Sequence, residues 1–191
     1  MFLKKIWVVI VFILSCSIVV AQSNIDVLHY KFDITLNDKN DTVYGQAIIK
    51  LSFLQPDNSF SLDLNMQNKQ GKGMKIDKVY STRATEVKNF VTVKDKVSIV
   101  LSKAASKNDT MTFSIRYHGI PKEGLIISEN RYGQRTFFAD NWPDHAHYWI
   151  PCKDDPADKA SFEFIVTAPS HYKVISNGIQ VEEKNYQVIK N

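Results

Sequence analysis

The chain has 191 residues, of which 44% are hydrophobic and 12% aromatic, so it can bury a sizeable core, and composition excludes disorder for most of it. Its length suits one domain, or one domain and a small part of another. The formal net charge is only +4, and no stretch concentrates Lys or Arg with interleaved aromatics, which argues against a nucleic-acid partner.

Residues 1–21 predict a secretory signal peptide. Two lysines precede an apolar run over residues 6–20, and Ala21 supplies the small residue that a signal peptidase requires at its cleavage site. The run is shorter than the ~20 residues that span a bilayer, which disfavours a membrane anchor. A lipoprotein interpretation through Cys16 is weaker, because the residues before it only approximate a lipidation box. We therefore expect an exported domain over residues 22–191, located in the periplasm, on a surface or outside the cell.

The residues that follow alternate between apolar and polar positions with a period near two, which predicts β-strands. Turn-forming residues separate these runs, and no window shows a sustained helical period. The predicted strands cover residues 29–36, 43–54, 60–64, 74–80, 90–93, 97–101, 110–117, 125–128, 161–168 and 172–176. Gly45 within the second strand predicts a bulge. Short strands at such regular spacing predict an all-β fold, an antiparallel sandwich or a curved sheet.

Residues 129–156 differ from the rest of the chain. They are dense in aromatic residues, Asp, His and Pro, which predicts loops that carry function. Beyond them, Asn177-Gly178 is a strong turn signal. The chain ends just after the apolar pair Val188-Ile189, where a hairpin partner would begin. We therefore expect the fold to be truncated at its C-terminus.

Two histidines in this segment suggest a metal site. His145 and His147 lie two residues apart, so on a strand both side chains would face the same way and share an ion. Asp140, Asp144 or Asp154 would add oxygen ligands. Histidines at this spacing are also common on solvated strands, and no further spaced pair supports a metal site.

A nucleophilic thiol and a sugar-binding face are further alternatives. Cys152 is the single cysteine of residues 22–191, so no internal disulfide is expected, and the absence of a distinctive surrounding pattern favours a buried, unreactive thiol. Trp142, Tyr148 and Trp149 would stack on pyranose rings if they were exposed, although aromatic residues of β-proteins more often fill the core.

The same residues also have a purely structural explanation. Pro151, Pro156 and the Asp154-Asp155 pair can fix a tight turn, because Asp accepts backbone N–H bonds and proline presets φ. Lys159 would then pair with one of the two aspartates. Taken residue by residue, this explanation is favoured.

The order of the residues is more specific than any one of them. Residues 151–162, Pro-Cys-Lys-Asp-Asp-Pro-Ala-Asp-Lys-Ala-Ser-Phe, resemble the Pro-Cys-Phe-Asp-Glu-Pro-x-x-Lys-Ala-x-Phe signature of the aminopeptidase N family, the gluzincin zinc aminopeptidases. Lys153 stands where Phe is usual, and Asp155 where Glu is usual. Residues 174–178, Val-Ile-Ser-Asn-Gly, are similar to that family's Leu-Ser-Asn-Gly segment, and residues 30–47 resemble its opening hairpin.

This resemblance implies a saddle-shaped β-domain that precedes a thermolysin-like catalytic domain, in which His-Glu-x-x-His and a distant Glu hold zinc. No histidine of this sequence is followed by Glu, and the family's Gly-x-Met-Glu-Asn loop is missing from it, so zinc is implied only for the missing catalytic domain. In the family, the N-terminal domain lends one loop to the active site. Its two substrate-contacting positions correspond to Asp140 and Trp142, and a position usually occupied by Arg corresponds to His147. Asp140 would attract an ammonium group by charge, and Trp142 through a cation–π contact.

The leading hypothesis is therefore the N-terminal portion of an exported zinc aminopeptidase-like protein, which releases N-terminal amino acids from peptides. We expect the chain alone to be inactive, to meet peptide substrate only through the missing domain, and to have no membrane span after signal cleavage. The second hypothesis is a free-standing secreted β-sandwich module that binds a glycan or a protein. The third is a truncated reading frame with no independent role.

Overall fold

The computed structural model describes residues 23–82 and 86–185, so the predicted signal peptide and the Val188-Ile189 pair lie outside the described residues. Within these ranges, no helix is long and apolar enough to cross a bilayer. The elements are β1 (Ile25–Thr35), β2 (Val43–Phe53), β3 (Asp57–Asp63), β4 (Gly73–Ser81), β5 (Val87–Val93), β6 (Lys96–Ala105), β7 (Thr110–Ile120), β8 (Leu125–Glu129), β9 (Arg135–Ala139), a short 3₁₀ helix (Ala146–Tyr148) and β10 (Ser161–Thr167). The predicted all-β class is confirmed.

The strands form three open sheets. The largest has the order β10-β1-β2-β7-β4, the second the order β3-β6-β5, and the third is the hairpin β8-β9. Neighbouring strands are antiparallel except at one edge, where β10 pairs with β1 in parallel. Parallel neighbours cannot be joined by a tight turn, and here all of β2 to β9 lies between β1 and β10 along the chain. Residues 140–160, which we call the crossover, lead from β9 to β10. This crossover carries the predicted site residues.

The core lies between the five-stranded and the three-stranded sheet. Alternate residues of β2 and β7 face it, and aromatic rings join the two layers. The ring centroid of Phe60 from β3 lies 4.7 Å from that of Phe113 and 5.9 Å from that of Phe53. Other buried members of this core are Val43, Ala47, Ile49, Leu51, Leu62, Val97, Ile99 and Ile115. The sheets therefore provide a closely packed base for the loops at their edges.

Gly45 does not mark a bulge, which corrects the sequence-based prediction. It pairs with Ile34 and with Tyr117 in unbroken register, while the irregularity of β1 and β2 lies between Val27 and His29. A Cβ on Gly45 would lie only 2.3 Å from the ring carbon Cζ of Tyr117. Glycine is needed here because a buried ring occupies the space of a side chain.

Two further predictions about the second half of the chain are wrong. The segment expected to be irregular contains β9, which pairs residue by residue with β8. Residues 172–176, predicted to be a strand, have no strand partner among the described residues, and Ile175 is 88% exposed. Tyr172 instead packs its ring against Phe137 and donates from its hydroxyl to Asp38 at 2.6 Å. A strand requires a neighbouring ladder, which local sequence does not reveal.

Candidate functional site

The crossover that carries the predicted site residues begins at Asp140, directly after β9. The backbone N–H of Asp140 donates to the carbonyl oxygen of Gly124 at 2.7 Å. Gly124 has a φ of +77°, and a Cβ on it would lie 2.1 Å from the carbonyl oxygen of His145. Both the positive φ and the close approach require glycine. The Asp140 end of this loop is thus hydrogen-bonded to Gly124, directly before β8, and the His145 end packs closely against the same glycine.

The side chain of Asp140 is exposed and lines an open cleft of about 400 Å³. Two other acids line the same cleft, and each has a cationic partner. Asp41 lies 2.7 Å from Arg135, and Glu123 lies 3.6 Å from Lys122. No ion pair within 4.0 Å involves Asp140 among the described residues. Its carboxylate is accordingly available to a cationic group that enters the cleft.

Trp142 projects from the same loop and is 82% exposed. The peptide bond between Trp142 and Pro143 is cis. Asn141, between the two predicted substrate-binding residues, accepts a hydrogen bond at its Oδ1 from the indole Nε1 of Trp149 (2.9 Å). Asp140 and Trp142 are therefore both exposed on one loop. The hydrogen bond between Asn141 and the buried Trp149 attaches this loop to the protein interior.

His145 and His147 do not share the strand geometry on which the metal interpretation rested. His147 lies in the 3₁₀ helix, and its Nδ1 is 2.7 Å from Oδ2 of Asp154. His145 precedes that helix, and its Nε2 is 3.9 Å from Oε2 of Glu123. Within residues 23–82 and 86–185, no group of three or more His, Cys, Asp or Glu side chains is placed to hold a metal ion. The two imidazoles thus serve separate acid partners.

Cys152 lies in the interior, as the favoured interpretation predicts. Its backbone N–H and carbonyl exchange hydrogen bonds of 3.1 and 2.7 Å with Asp63 at the end of β3. Burial, together with the nearby carboxylates of Asp154 and Asp63, raises the pKa of the Cys152 thiol well above its usual range. A thiol held protonated in this way is a poor nucleophile.

Most of the aromatic residues suggested for sugar stacking are not available for it. Trp149 is only 5% exposed, and its ring lies nearly parallel to that of Phe164 at 6.2 Å. Tyr148 stacks on the imidazole of His147 with a centroid distance of 4.3 Å. Trp142 remains the exposed member of the three, so the predicted three-residue platform is wrong.

The residues that support the loop are the part of the site that sequence reasoning missed. Lys153 pairs with Asp158 at 2.9 Å, whereas the sequence suggested an ion pair between Lys159 and an aspartate. Asn141 accepts a hydrogen bond from the indole of Trp149, eight residues away. Asp63 accepts one from the backbone N–H of Asp154, 91 residues away. No local pattern reveals such partners.

Comparison with solved structures identifies the fold. The M1 zinc metallopeptidase from Deinococcus radiodurans superimposes with a TM-score of 0.70 and 21% identity, covering 86% of this chain and 37% of that chain. A mutant M1 zinc metallopeptidase from the same organism, bound to a Tyr-Ser-Ala substrate, gives 0.70 and 22%, covering 85% and 37%. This chain therefore spans little more than a third of the length of these structures.

The sequence comparisons agree with this fold. No curated protein matches the chain. The family model of the peptidase M1 N-terminal domain matches residues 26–191, which is most of the chain. That range includes both β-sheets of the core, the cleft and the crossover with Asp140 and Trp142. The chain belongs to the peptidase M1 N-terminal domain family.

Proposed function

We propose that this chain forms part of the substrate pocket of an exported zinc aminopeptidase-like enzyme that releases N-terminal amino acids from peptides. The observation that carries the proposal is a carboxylate, Asp140, that has no ion-pair partner among residues 23–82 and 86–185, on one braced loop with the exposed indole of Trp142 and beside a cleft. The N-terminal ammonium group of a peptide is a cation, and a carboxylate and an indole face both attract cations.

Bracing of the loop supports this role. A substrate-binding group contributes most when its position is fixed before the substrate arrives, because no ordering entropy is then lost on binding. The loop is anchored at Gly124 and through the hydrogen bond from Trp149 to Asn141. Asp140 and Trp142 are therefore exposed groups on a fixed backbone.

The residues that the structure describes do not fit the zinc ion that the family implies. His145 and His147 face different acids, and the described residues offer no third ligand near either of them. We propose that zinc is held by a catalytic domain outside this chain, where it would act as a Lewis acid on the scissile carbonyl. The contribution of Asp140 and Trp142 would be to bind and orient the free amine of the substrate.

Reconstitution with a catalytic domain tests the proposal. Three proteins would be assayed with an aminoacyl-p-nitroanilide: the chain alone, a catalytic domain of the M1 type alone, and the two joined as one polypeptide. We expect cleavage by the joined protein, loss of cleavage on addition of a chelator, and none by the chain alone. Chelator-sensitive cleavage by the chain alone would contradict the proposal. Recovery of mature protein beginning at residue 22 in an exported fraction tests the export part separately.

A free-standing binding module is the second candidate, and the exposure of Trp142 favours it. A single exposed indole can stack on one sugar ring. Glycan binding by the chain alone that is lost on Trp142→Ala, while the joined protein cleaves no aminoacyl substrate, would favour this candidate over the first.

A further inference from the structure

We infer that His147 and Asp154 are positioning residues that hold the loop carrying Asp140 and Trp142 in its binding orientation. This inference rests on the proposed function, because it assigns the two residues a role in presenting the proposed substrate contacts. Neither residue lines the cleft. Their effect on a substrate would therefore be indirect.

The two residues are joined by two hydrogen bonds to one oxygen atom. Oδ2 of Asp154 lies 2.7 Å from Nδ1 of His147 and accepts the backbone N–H of the same residue at 3.0 Å. A single carboxylate oxygen thus fixes both the side chain and the main chain of His147. This double attachment holds the backbone of the 3₁₀ helix at His147 and orients the imidazole of that residue.

The pair is sheltered from water. The side chains of His147 and Asp154 are 16% and 15% exposed, and the ring of Tyr148 covers one face of the imidazole at 4.3 Å. Hydrogen bonds to a carboxylate are stronger when solvent competes less for it. The pair is consequently a fixed attachment, in contrast to a fluctuating surface contact.

The attachment connects the loop to the core sheets. Asp154 donates its backbone N–H to Oδ2 of Asp63 at 3.1 Å, and Lys96 from β6 pairs with the other oxygen of that carboxylate. The carbonyl oxygen of His147 accepts the backbone N–H of Asn65 at 2.8 Å. His147 is therefore tied on both sides to the end of β3 and the residues that follow it.

Loss of the contact between His147 and Asp154 should weaken the hydrogen bond from Trp149 to Asn141. Trp149 lies two residues after His147, and its indole N–H reaches back to Asn141, between Asp140 and Trp142. When His147 detaches from Asp154, we expect the 3₁₀ helix to shift and the bond from Trp149 to Asn141 to open more often. The exchange of that indole proton with solvent reports this opening.

Hydrogen exchange in the ¹⁵N-labelled chain tests the inference. The rates are compared for the Trp149 indole, assigned with Trp149→Phe, for the Asp140 amide, and for amides of β2 and β7. The variants are His147→Ala, and His147→Asn, whose amide can replace Nδ1 as a donor. The control is His118→Ala, which removes a His–Asp contact of 2.9 Å between His118 and Asp77 on the five-stranded sheet.

We expect His147→Ala to accelerate exchange of the Trp149 indole and the Asp140 amide by about tenfold, the factor for loss of one hydrogen bond to a charged group. The β2 and β7 amides should keep their rates, His147→Asn should return most of the protection, and His118→Ala should leave the loop unchanged. Unchanged loop rates in His147→Ala would overturn the inference, and so would equal acceleration at every site, because that result reports global destabilisation.

If His147→Ala does not fold, Asp154→Leu decides by the same criterion, since it removes the accepting oxygens and keeps a side chain of similar size. These measurements need no substrate and no catalytic domain, so their result is independent of the enzymatic assay. A loop that opens as expected, combined with activity that is insensitive to Asp140 and Trp142, would refute the proposed function and leave the attachment in place.

Discussion

The ammonium group of Lys153 lies 2.9 Å from a carboxylate oxygen of Asp158, in an ion pair whose side chains are only 19% and 1% exposed. The other oxygen of Asp158 accepts the backbone N–H of Val27 at 3.3 Å. The backbone N–H of Lys153 donates to the hydroxyl of Tyr30 at 2.9 Å. This pair therefore ties the end of the crossover to β1, close to where β10 joins the sheet.

Removal of one member of this pair should be costly. Asp158→Ala leaves the Lys153 ammonium group without its partner in a largely buried position, and breaking such a pair costs about 3 kcal/mol of unfolding free energy. Urea unfolding followed by circular dichroism measures the change. The control is Glu163→Ala, which breaks the exposed ion pair with Lys31 and should cost less than about 1 kcal/mol. Equal losses for the two variants would contradict this account.

The contact between Gly45 and Tyr117 predicts that Gly45→Ala lowers the free energy of unfolding. Gly45→Ala places a Cβ only 2.3 Å from the ring carbon Cζ of Tyr117, and overpacking of this kind costs about 1–3 kcal/mol. Thermal unfolding of Gly45→Ala, of Tyr117→Leu and of the double variant gives the coupling between the two sites. We expect the alanine to cost much less when residue 117 is leucine. Additive losses would show that the ring is not the obstacle.

The buried thiol predicts a sensitivity to alkaline pH. The pKa of Cys152 is raised in the folded chain, so the unfolded chain releases this proton first as the pH passes the ordinary value of 9.0. Stability is then lost with rising pH, by up to about 1.4 kcal/mol per pH unit from this group. Urea unfolding between about pH 8 and about pH 10 should show a steeper decline for the parent chain than for Cys152→Ala.

The tyrosines do not obscure this comparison. Burial also raises the pKa values of Tyr30 and Tyr117 above their ordinary value of 10.0, and both residues remain in the Cys152→Ala variant. Burial is the first cause of both shifts and is the same in the two proteins, whereas the smaller contribution from Cys152 itself is lost in the variant. Parallel curves for the parent and the variant would mean that the thiol titrates at the same pH in the folded and the unfolded chain.

Local alternation predicted the strands whose one face is buried, because burial imposes a period of two on the sequence. In β2, every second residue from Ala47 to Phe53 has no exposed surface, and the predicted bounds differ from the observed ones by one residue. The hairpin strand β9 was missed because it pairs only with β8 and none of its residues is buried. The parallel pairing of β10 with β1 is a long-range relationship that local sequence does not encode.

In the candidate site, too, local sequence predicts some features, and long-range packing determines the others. Asp140 and Trp142, which are exposed on the loop, could be proposed because residues 151–162 resemble a family signature, and such a signature is a local pattern. The burial of Trp149 and the partner of His147 depend on distant parts of the chain packing together. The suggested metal pair was wrong in its geometry because it assumed a strand where the chain forms a 3₁₀ helix.

Steady-state hydrolysis of an aminoacyl-p-nitroanilide by this chain joined to a catalytic domain of the M1 type tests the central claim, the proposed role of Asp140 in the substrate pocket, most directly. We expect Asp140→Asn to raise KM about tenfold or more, because an ion pair with the substrate amine is lost. Asp144→Asn, which neutralises an exposed acid on the same loop, should behave like the parent. If Asp140→Asn binds and cleaves the substrate as well as Asp144→Asn does, this loop does not contribute to the pocket.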